Sequence, residues 1–410
     1  LCTSHSFSTP CRYDFDKASI KVGVTRIDDF GASRMFLALR ELWFARNRFL
    51  LMGAVVALIA ILMVILSGLS SGLVNDGVSA LQRTPIQAFA FAPDTKADSA
   101  FSRSVVTEEQ AQAWRAQPDV QDAELFGNMI VNAKTRSGTP VDLTLFGIEP
   151  GSFLEPAPAD GRALLADTDI IVSSTFRDDG VSIGDTVVLD RLGTELTVVG
   201  FTEDKRTFGH VDVAYLPLHT WQEVHAGAKI GETVNASAYS EASVVAIRGK
   251  GDALPDLASG DAAAGTSAKT LEDSFDSSPG FSAEMMTMSM IKAFLYAISA
   301  LVVGAFFSIW TVQRGRELAV LRAMGASTGF LLRDGLTQAL VVLLGSIGVG
   351  VLLGLGLGSG LEGGGMPFAL ESGPIVNGAA LLAVLGLMGA AVAIVRITRV
   401  NPLTALGENR

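Results

Sequence analysis

The chain has 410 residues, of which 49% are hydrophobic and only 18% charged, with a net charge of −11. That balance is too apolar for an ordinary soluble domain, and the length allows several parts; a membrane protein is the leading class. The acidic total, with no basic stripe to neutralise phosphates, argues against a nucleic-acid partner.

Residues 1–34 carry scattered acids (Asp14, Asp16, Asp28, Asp29) and no apolar central run, so they do not form a secretory signal. They read either as a disordered cytoplasmic tail or as an artefact of start assignment, with Met35 as the natural start. Cys2 and Cys11 both lie there, which leaves the rest of the chain without a disulfide. Residues 35–48 place Phe36, Leu39, Leu42 and Trp43 at helical spacing with Arg40, Arg46 and Arg48 mostly elsewhere, the pattern of an amphipathic helix lying on the inner leaflet.

Four stretches, 49–69, 291–312, 335–361 and 375–395, each supply roughly 20 residues with at most one charge, enough to cross a bilayer core of about 30 Å. The first keeps helical spacing to residue 82, beyond bilayer length, and Gly68 and Gly72 with their neighbouring serines form a small-residue face suited to close helix packing. In the third span Gly350, Gly354 and Gly358 repeat at four, the same packing signature. Basic residues sit before the first span (Arg40, Arg46, Arg48), between the second and third (Arg314, Arg316, Arg322, Arg333) and after the fourth (Arg396, Arg399, Arg410), so both termini and the 314–334 loop are expected in the cytoplasm. The intervening 79–290 segment, with 31 acidic against 15 basic residues, is then outside.

The expected plan is a membrane protein of four transmembrane α-helices with a mixed α+β extracytoplasmic domain inserted between helices 1 and 2. Its parts are helix 1 with an outward extension (49–82), the external domain (83–284), helix 2 (285–313), a cytoplasmic loop (314–334), helices 3 (335–361) and 4 (375–395) and a cytoplasmic tail (396–410). Within the external domain Thr107 and Gln110 form a capping-box pattern ahead of a short helix. Seven β-rich runs follow, from DAELFGNMIVNA to SVVAIRG, punctuated by Gly, Asp and Pro. Residues 249–270, rich in Gly, Asp, Ala and Ser, read as a mobile loop.

No Walker loop GxxxxGK[ST], HExxH or CxxC occurs, and the spans hold no histidine, so neither an intrinsic ATPase nor a proton relay is indicated, and no metal site is expected. Two segments do carry candidate chemistry. RGRELAVLRAMGAS (314–327) is helix-patterned, with Leu318, Leu321 and Met324 or Gly325 on one face, and reads either as a short helix for a partner's groove or as a solvated turn. AEMMTMSM places Glu284, Met285, Met286 and Met288 just outside helix 2; thioethers are soft ligands and adaptable apolar surfaces, although such residues also simply open an apolar helix. His210, His219 and His225 are further conceivable iron ligands, read first as core or surface histidines because none lies near a span in sequence.

RGRELAVLRAMGAS after a span, then the Gly-rich span, then ITRVNPLTAL after the last span resemble the permease domain of MacB/FtsX-type ABC transporters. Residues 169–204 resemble the external core domain of the MacB type, and the compact external domain is similar to that of HrtB-type hemin-efflux permeases. Asn401 departs from the acidic residue often found before Pro402. The resemblance implies a homodimer in the lipid membrane bound to two copies of a separate ABC ATPase chain, which carries ATP and Mg; this chain binds no cofactor and is no enzyme. The 314–327 segment would be the coupling helix, with Glu317, Leu318, Val320, Leu321, Arg322, Met324 and Gly325 contacting the ATPase. Export of an amphiphile such as hemin by mechanical transmission is the leading expectation. An FtsX-like regulator of cell-wall hydrolases and a lipoprotein-release or macrolide/peptide exporter are the alternatives.

Overall fold

The computed structural model describes residues 46–315, 320, 324–362 and 366–398. Residues 1–45, residues 316–319 and 321–323 of the 314–327 segment, and residues 399–410 of the C-terminal tail therefore lie outside the described residues.

Helix α1 (Arg46–Gln82) runs 37 residues, far longer than a bilayer requires. Near its outer end Val78 departs from helical dihedrals (φ −144°, ψ 18°), so the last turn bends as it enters the external domain. That domain contains β1 (Ala88–Phe91), β2 (Val106–Thr107), α2 (Glu108–Arg115), β3 (Val120–Thr135) and β4 (Pro140–Ile148). There follow β5 (Asp160–Gly161), β6 (Asp169–Val172), β7 (Thr186–Leu189), β8 (Glu195–Phe201), β9 (Thr207–Phe208) and β10 (Val211–Pro217). Helix α3 (Leu218–His225), β11 (Glu241–Ala242), β12 (Val244–Gly249), α4 (Leu257–Ala264) and β13 (Ser267–Thr270) complete it. Three long apolar helices close the chain: α5 (Phe281–Gln313), α6 (Thr328–Ser359) and α7 (Ser372–Thr398).

With α1, these make four helices long and apolar enough to cross a membrane, and the mixed helix and strand domain sits between the first two. Gln110 Oε1 accepts from the Thr107 amide at 3.0 Å, closing one arm of the capping box at the start of α2. The 249–270 segment is more ordered than its composition suggests. Asp256 caps α4 by accepting from the Ser259 amide, Gly265 ends it at φ 64°, and β13 pairs antiparallel with β1. Capping and pairing outweigh the low propensity of a Gly- and Ser-rich stretch.

The main sheet follows the order β13-β1-β12-β3-β4-β10-β6-β8-β5. Because β7 pairs with both β3 and β8, the path β3-β4-β10-β6-β8-β7 returns on itself. One face of these strands buries Leu143, Leu145, Val172, Val187, Leu196 and Val198 in a common apolar core. Gly127 and Gly147 pair across β3 and β4, and the indole of Trp221 from α3 lies on both; a Cβ at Gly127 would stand 2.3 Å from Trp221 Cδ2. The other face carries a ring of phenylalanines, 89, 101, 208, 146 and 126, each touching the next with centroids 4.8 to 5.7 Å apart. Val78, Ala80 and Leu81 of α1 and Phe281 of α5 belong to that same cluster, so the two spans end inside the core of the external domain.

Within the spans, Gly350 and Gly354 of α6 face α1 so closely that a Cβ would meet the Ala57 carbonyl oxygen at 2.5 Å and Val64 Cβ at 2.8 Å. Gly358 meets Phe368 and Leu370 instead. Gly68 and Gly72 do not face another helix: they receive the Phe368 ring and the Pro367 backbone of the α6–α7 connection, and Ala369 N donates to Gly68 O at 3.0 Å. Gly389 of α7, not singled out from sequence, packs against the Ala300 carbonyl of α5.

Asp212 in β10 tests the energetics of the external domain. Burial raises its carboxyl above the ordinary range, although Thr175 Oγ1 donates to it at 2.5 Å. A carboxyl that holds its proton more tightly when folded costs stability as pH rises above the ordinary carboxylate value, and the cost persists at neutral pH. Asp212→Asn should therefore raise Tm by a few degrees at pH 7.5. The gain should vanish as pH falls below the carboxylate range; a gain independent of pH would contradict this assignment.

Candidate functional site

The external ends of the spans meet at a polar junction. On α1, Asn75 and Asp76 occupy successive positions just before the bend at Val78. The β8–β9 segment and the β9–β10 turn reach down to them: Lys205 Nζ donates to Asp76 Oδ1 at 2.5 Å, and Gly209 N donates to the Gly77 carbonyl at 2.8 Å. Ser79 Oγ and Thr207 Oγ1 lie 2.9 Å apart, and the Thr207 amide donates to Ser79 Oγ. Arg83 pairs with Asp204 at 3.1 Å. Asn75 Nδ2 in turn donates to Glu371 Oε1, which ties the α6–α7 connection to the same place.

His210 sits at the centre of this junction. Its Nδ1 is 2.9 Å from Asp76 Oδ2 on α1 and its Nε2 is 3.2 Å from Glu284 Oε2 on α5. The backbone holds it at φ 64°, a left-handed conformation uncommon outside glycine and favoured among other residues by asparagine, aspartate and histidine. The expectation that no histidine lies near a span is thus corrected. Residue 210 is 134 positions from Asp76 and 74 from Glu284, and only the β9–β10 turn brings them together. An imidazole with both nitrogens protonated donates to both carboxylates, whereas the neutral ring donates to one. His219 and His225 stand apart from the spans, stacked on Tyr239 and Trp221 with centroids 4.5 and 4.6 Å apart. Burial lowers the His225 pKa.

Beside the junction opens a cavity of about 520 Å³, lined among others by Asp76, Gln82, Arg83, Lys205, Met366 and Phe368. Its cations are already paired, Lys205 with Asp76 and Arg83 with Asp204. No group of His, Cys, Asp and Glu suited to a metal ion occurs among the described residues.

The other sequence candidates are distributed as follows. Glu284 turns toward His210. Met285 is partly buried against the phenylalanine cluster and Met288 is half-buried, while Met286 is 73% exposed. Consecutive helix positions diverge by about 100°, so these three methionines do not share one face. In the 314–327 segment Val320 and Met324 are exposed, Met324 N donates to Val320 O at 3.0 Å, and Gly325 turns the chain at φ 97°. Ser327 then caps α6, accepting from the Phe330 amide. Glu317, Leu318, Leu321 and Arg322 lie outside the described residues.

Four membrane-length helices, with a β-rich domain held on the outer ends of two of them, are the architecture of a multi-pass membrane protein. Residues 289–402 match the family model "FtsX-like permease C-terminal". A putative hemin transport system permease protein, HrtB, of Staphylococcus epidermidis is 20% identical over 375 residues, covering 91% of this chain and 99% of that one. An uncharacterized ABC transporter permease of Mycobacterium tuberculosis is 23% identical over the same length and coverage. Among solved structures, the periplasmic region of MacB from Actinobacillus actinomycetemcomitans is similar at 13% identity and a TM-score of 0.34, covering 46% of this chain and 90% of that one. Residues 289–402 thus match an FtsX-like permease C-terminal domain, and along most of its length the chain is similar to ABC transporter permeases.

The junction makes a mechanical prediction. Among the described residues His210 alone contacts both Asp76 and Glu284, so in His210→Ala the distance distribution between spin labels on the outer ends of α1 and α5 should broaden. His210→Gln, able to keep one hydrogen bond, should fall between the two. An unchanged distribution in the alanine variant would show that the spans are held by the apolar cluster alone.

Proposed function

We propose that this chain is the membrane subunit of an ABC-type efflux system, a homodimer that works with two copies of a separate ATPase chain, which binds ATP and Mg. Hemin is the leading cargo, taken from the membrane rather than passed through a central channel. The observation that carries this reading is the continuity of α1 and α5 from the bilayer into one external apolar cluster, cross-braced through Asp76, His210 and Glu284. Two such helices transmit a displacement made at their inner ends to the external domain without a flexible linker between. Similarity to a hemin permease along almost its whole length supports the choice of cargo.

In this reading the 314–327 segment is the coupling element and sits in the cytoplasm with both termini. Its exposed Val320 and Met324 support an apolar strip left for a partner. Transport then follows from population shift: ATP binding favours one arrangement of the inner ends, and the external domain takes up the matching one. No step of the chemistry belongs to this chain.

Two experiments test the proposal. Reconstituted with its ATPase, the complex should hydrolyse ATP faster when hemin is added, and deletion of the gene should sensitise cells to hemin. Normal hemin tolerance with a septation defect would instead favour a regulator of cell-wall hydrolases. Leu321→Glu places a charge in the apolar strip and should weaken ATPase binding or abolish hemin stimulation; a fully coupled variant would remove this segment from the mechanism.

A further inference from the structure

The face of α5 that turns into the helix bundle is marked by Leu295, Ser299, Val303 and Phe307, all buried, while Phe294, Ile298 and Leu301 form the opposite, exposed side. Three and seven residues before Leu295 and Ser299, on the same inward stripe, stands Lys292. It is half-buried at the outer end of the apolar stretch, the sole charge in residues 291–312. No carboxylate or other acceptor faces its ammonium among the described residues.

That position is unusual on two counts. A lysine on the lipid side of a span can extend its stem toward the headgroups, but the inward stripe directs this one toward neighbouring helices. Ionisable residues that face a bundle interior are normally paired, because an isolated charge there is costly. Every other cation of the outer junction described above, Lys205 and Arg83, has its carboxylate. Two turns deeper on the stripe, Ser299 is fully buried and its hydroxyl has no partner, although Thr287, Ser308 and Thr311 of the same helix all donate back to carbonyls four residues earlier. The stripe thus retains an unmatched cation and an unmatched hydroxyl, with partly buried Met285 and Met288 continuing it outward.

We propose that Lys292 is the anchor for the anionic group of an amphiphile that binds at the outer-leaflet end of α5, its apolar body lying along the helix. The ligand chemistry is a carboxylate or phosphate attached directly to a large apolar moiety, supplied either by a free amphiphile or by an anionic phospholipid. Charge-assisted hydrogen bonding from the ammonium gives the selectivity. The inference deepens the efflux reading by naming the feature a cargo must carry, and rests on that reading only for the assignment of the ligand as cargo.

The test uses the full complex with its ATPase in phosphatidylcholine nanodiscs and a photoactivatable long-chain fatty acid, compared with its methyl ester. The acid should label α5 at least about tenfold more than the ester, the discrimination expected of one charge-assisted hydrogen bond. That preference should disappear in Lys292→Gln and return in Lys292→Arg. Competition by added phosphatidylglycerol would identify phospholipid as the occupant, and its absence a free amphiphile; both keep the anchor. Equal labelling by acid and ester in the unmodified protein, a comparison that needs no variant to fold, would overturn the proposal, as would undiminished selectivity in Lys292→Gln. If hemin fails to stimulate the ATPase while acid-selective labelling persists, the hemin reading fails and the anchor stands.

Discussion

Val78, Ala80 and Leu81 at the end of α1 and Phe281 at the start of α5 are buried in one apolar cluster with the ring of five phenylalanines. Everything outside the membrane depends on that shared core. An external domain joined by loops would be free to move on its own, since small interfaces between domains permit relative motion. Here the spans are structural members of the domain, and pulling them out would expose closely packed aromatic side chains to water. The polar junction adds direction to this attachment: Lys205, His210 and Ser79 fix which side of α1 meets the β9–β10 turn, because hydrogen bonds fail with angle where apolar contacts do not.

The membrane half is built on a different principle. Lipid gives no hydrophobic drive for helices to associate, so contact rests on close approach. Gly350 and Gly354 against α1, and Gly389 against Ala300 of α5, supply it. The α6–α7 connection folds over Gly68 and Gly72, so the small residues near the outer end of α1 accommodate a turn where a second helix was the simpler expectation. A four-residue glycine spacing specifies a surface that something can approach, and leaves open what approaches it.

Much of the architecture was legible because its signals are local. Bilayer-length apolar runs, the capping pattern at Thr107 and Gln110, and β-rich runs such as ELTVVGF each depend on a few neighbouring residues. The ordered α4 and β13 were missed because a cap at Asp256 and pairing with β1 overrode a composition typical of loops. The junction was invisible for a deeper reason. Asp76, His210 and Glu284 are ordinary surface residues in their own surroundings, and only the sheet topology joins them. Sequence groups Glu284 with its neighbouring methionines, yet its carboxylate faces a histidine 74 positions earlier. Lys292 was countable as a lone charge in an apolar stretch, but its inward direction required the burial pattern of the whole helix.

Helix α6 has a further property in its remaining glycines. Gly350 and Gly354 are pressed against α1, while at Gly345, Gly348 and Gly356 a Cβ would meet nothing within 4 Å. Interlocked side chains act as teeth, and one helix can pass another only by climbing out of each notch. α6 combines such notches at Gly350 and Gly354 with projecting Leu343 and Ile347, buried in the same cluster as Val56, Ala60 and Met63 of α1, while Leu344, Val349, Leu352, Leu353 and Leu357 project from its exposed side. A helix seated in this way is keyed to its neighbour: a lengthwise slip would lift the Ala57 carbonyl and the Val64 side chain out of the notches at Gly350 and Gly354, so α1 and α6 move as one body.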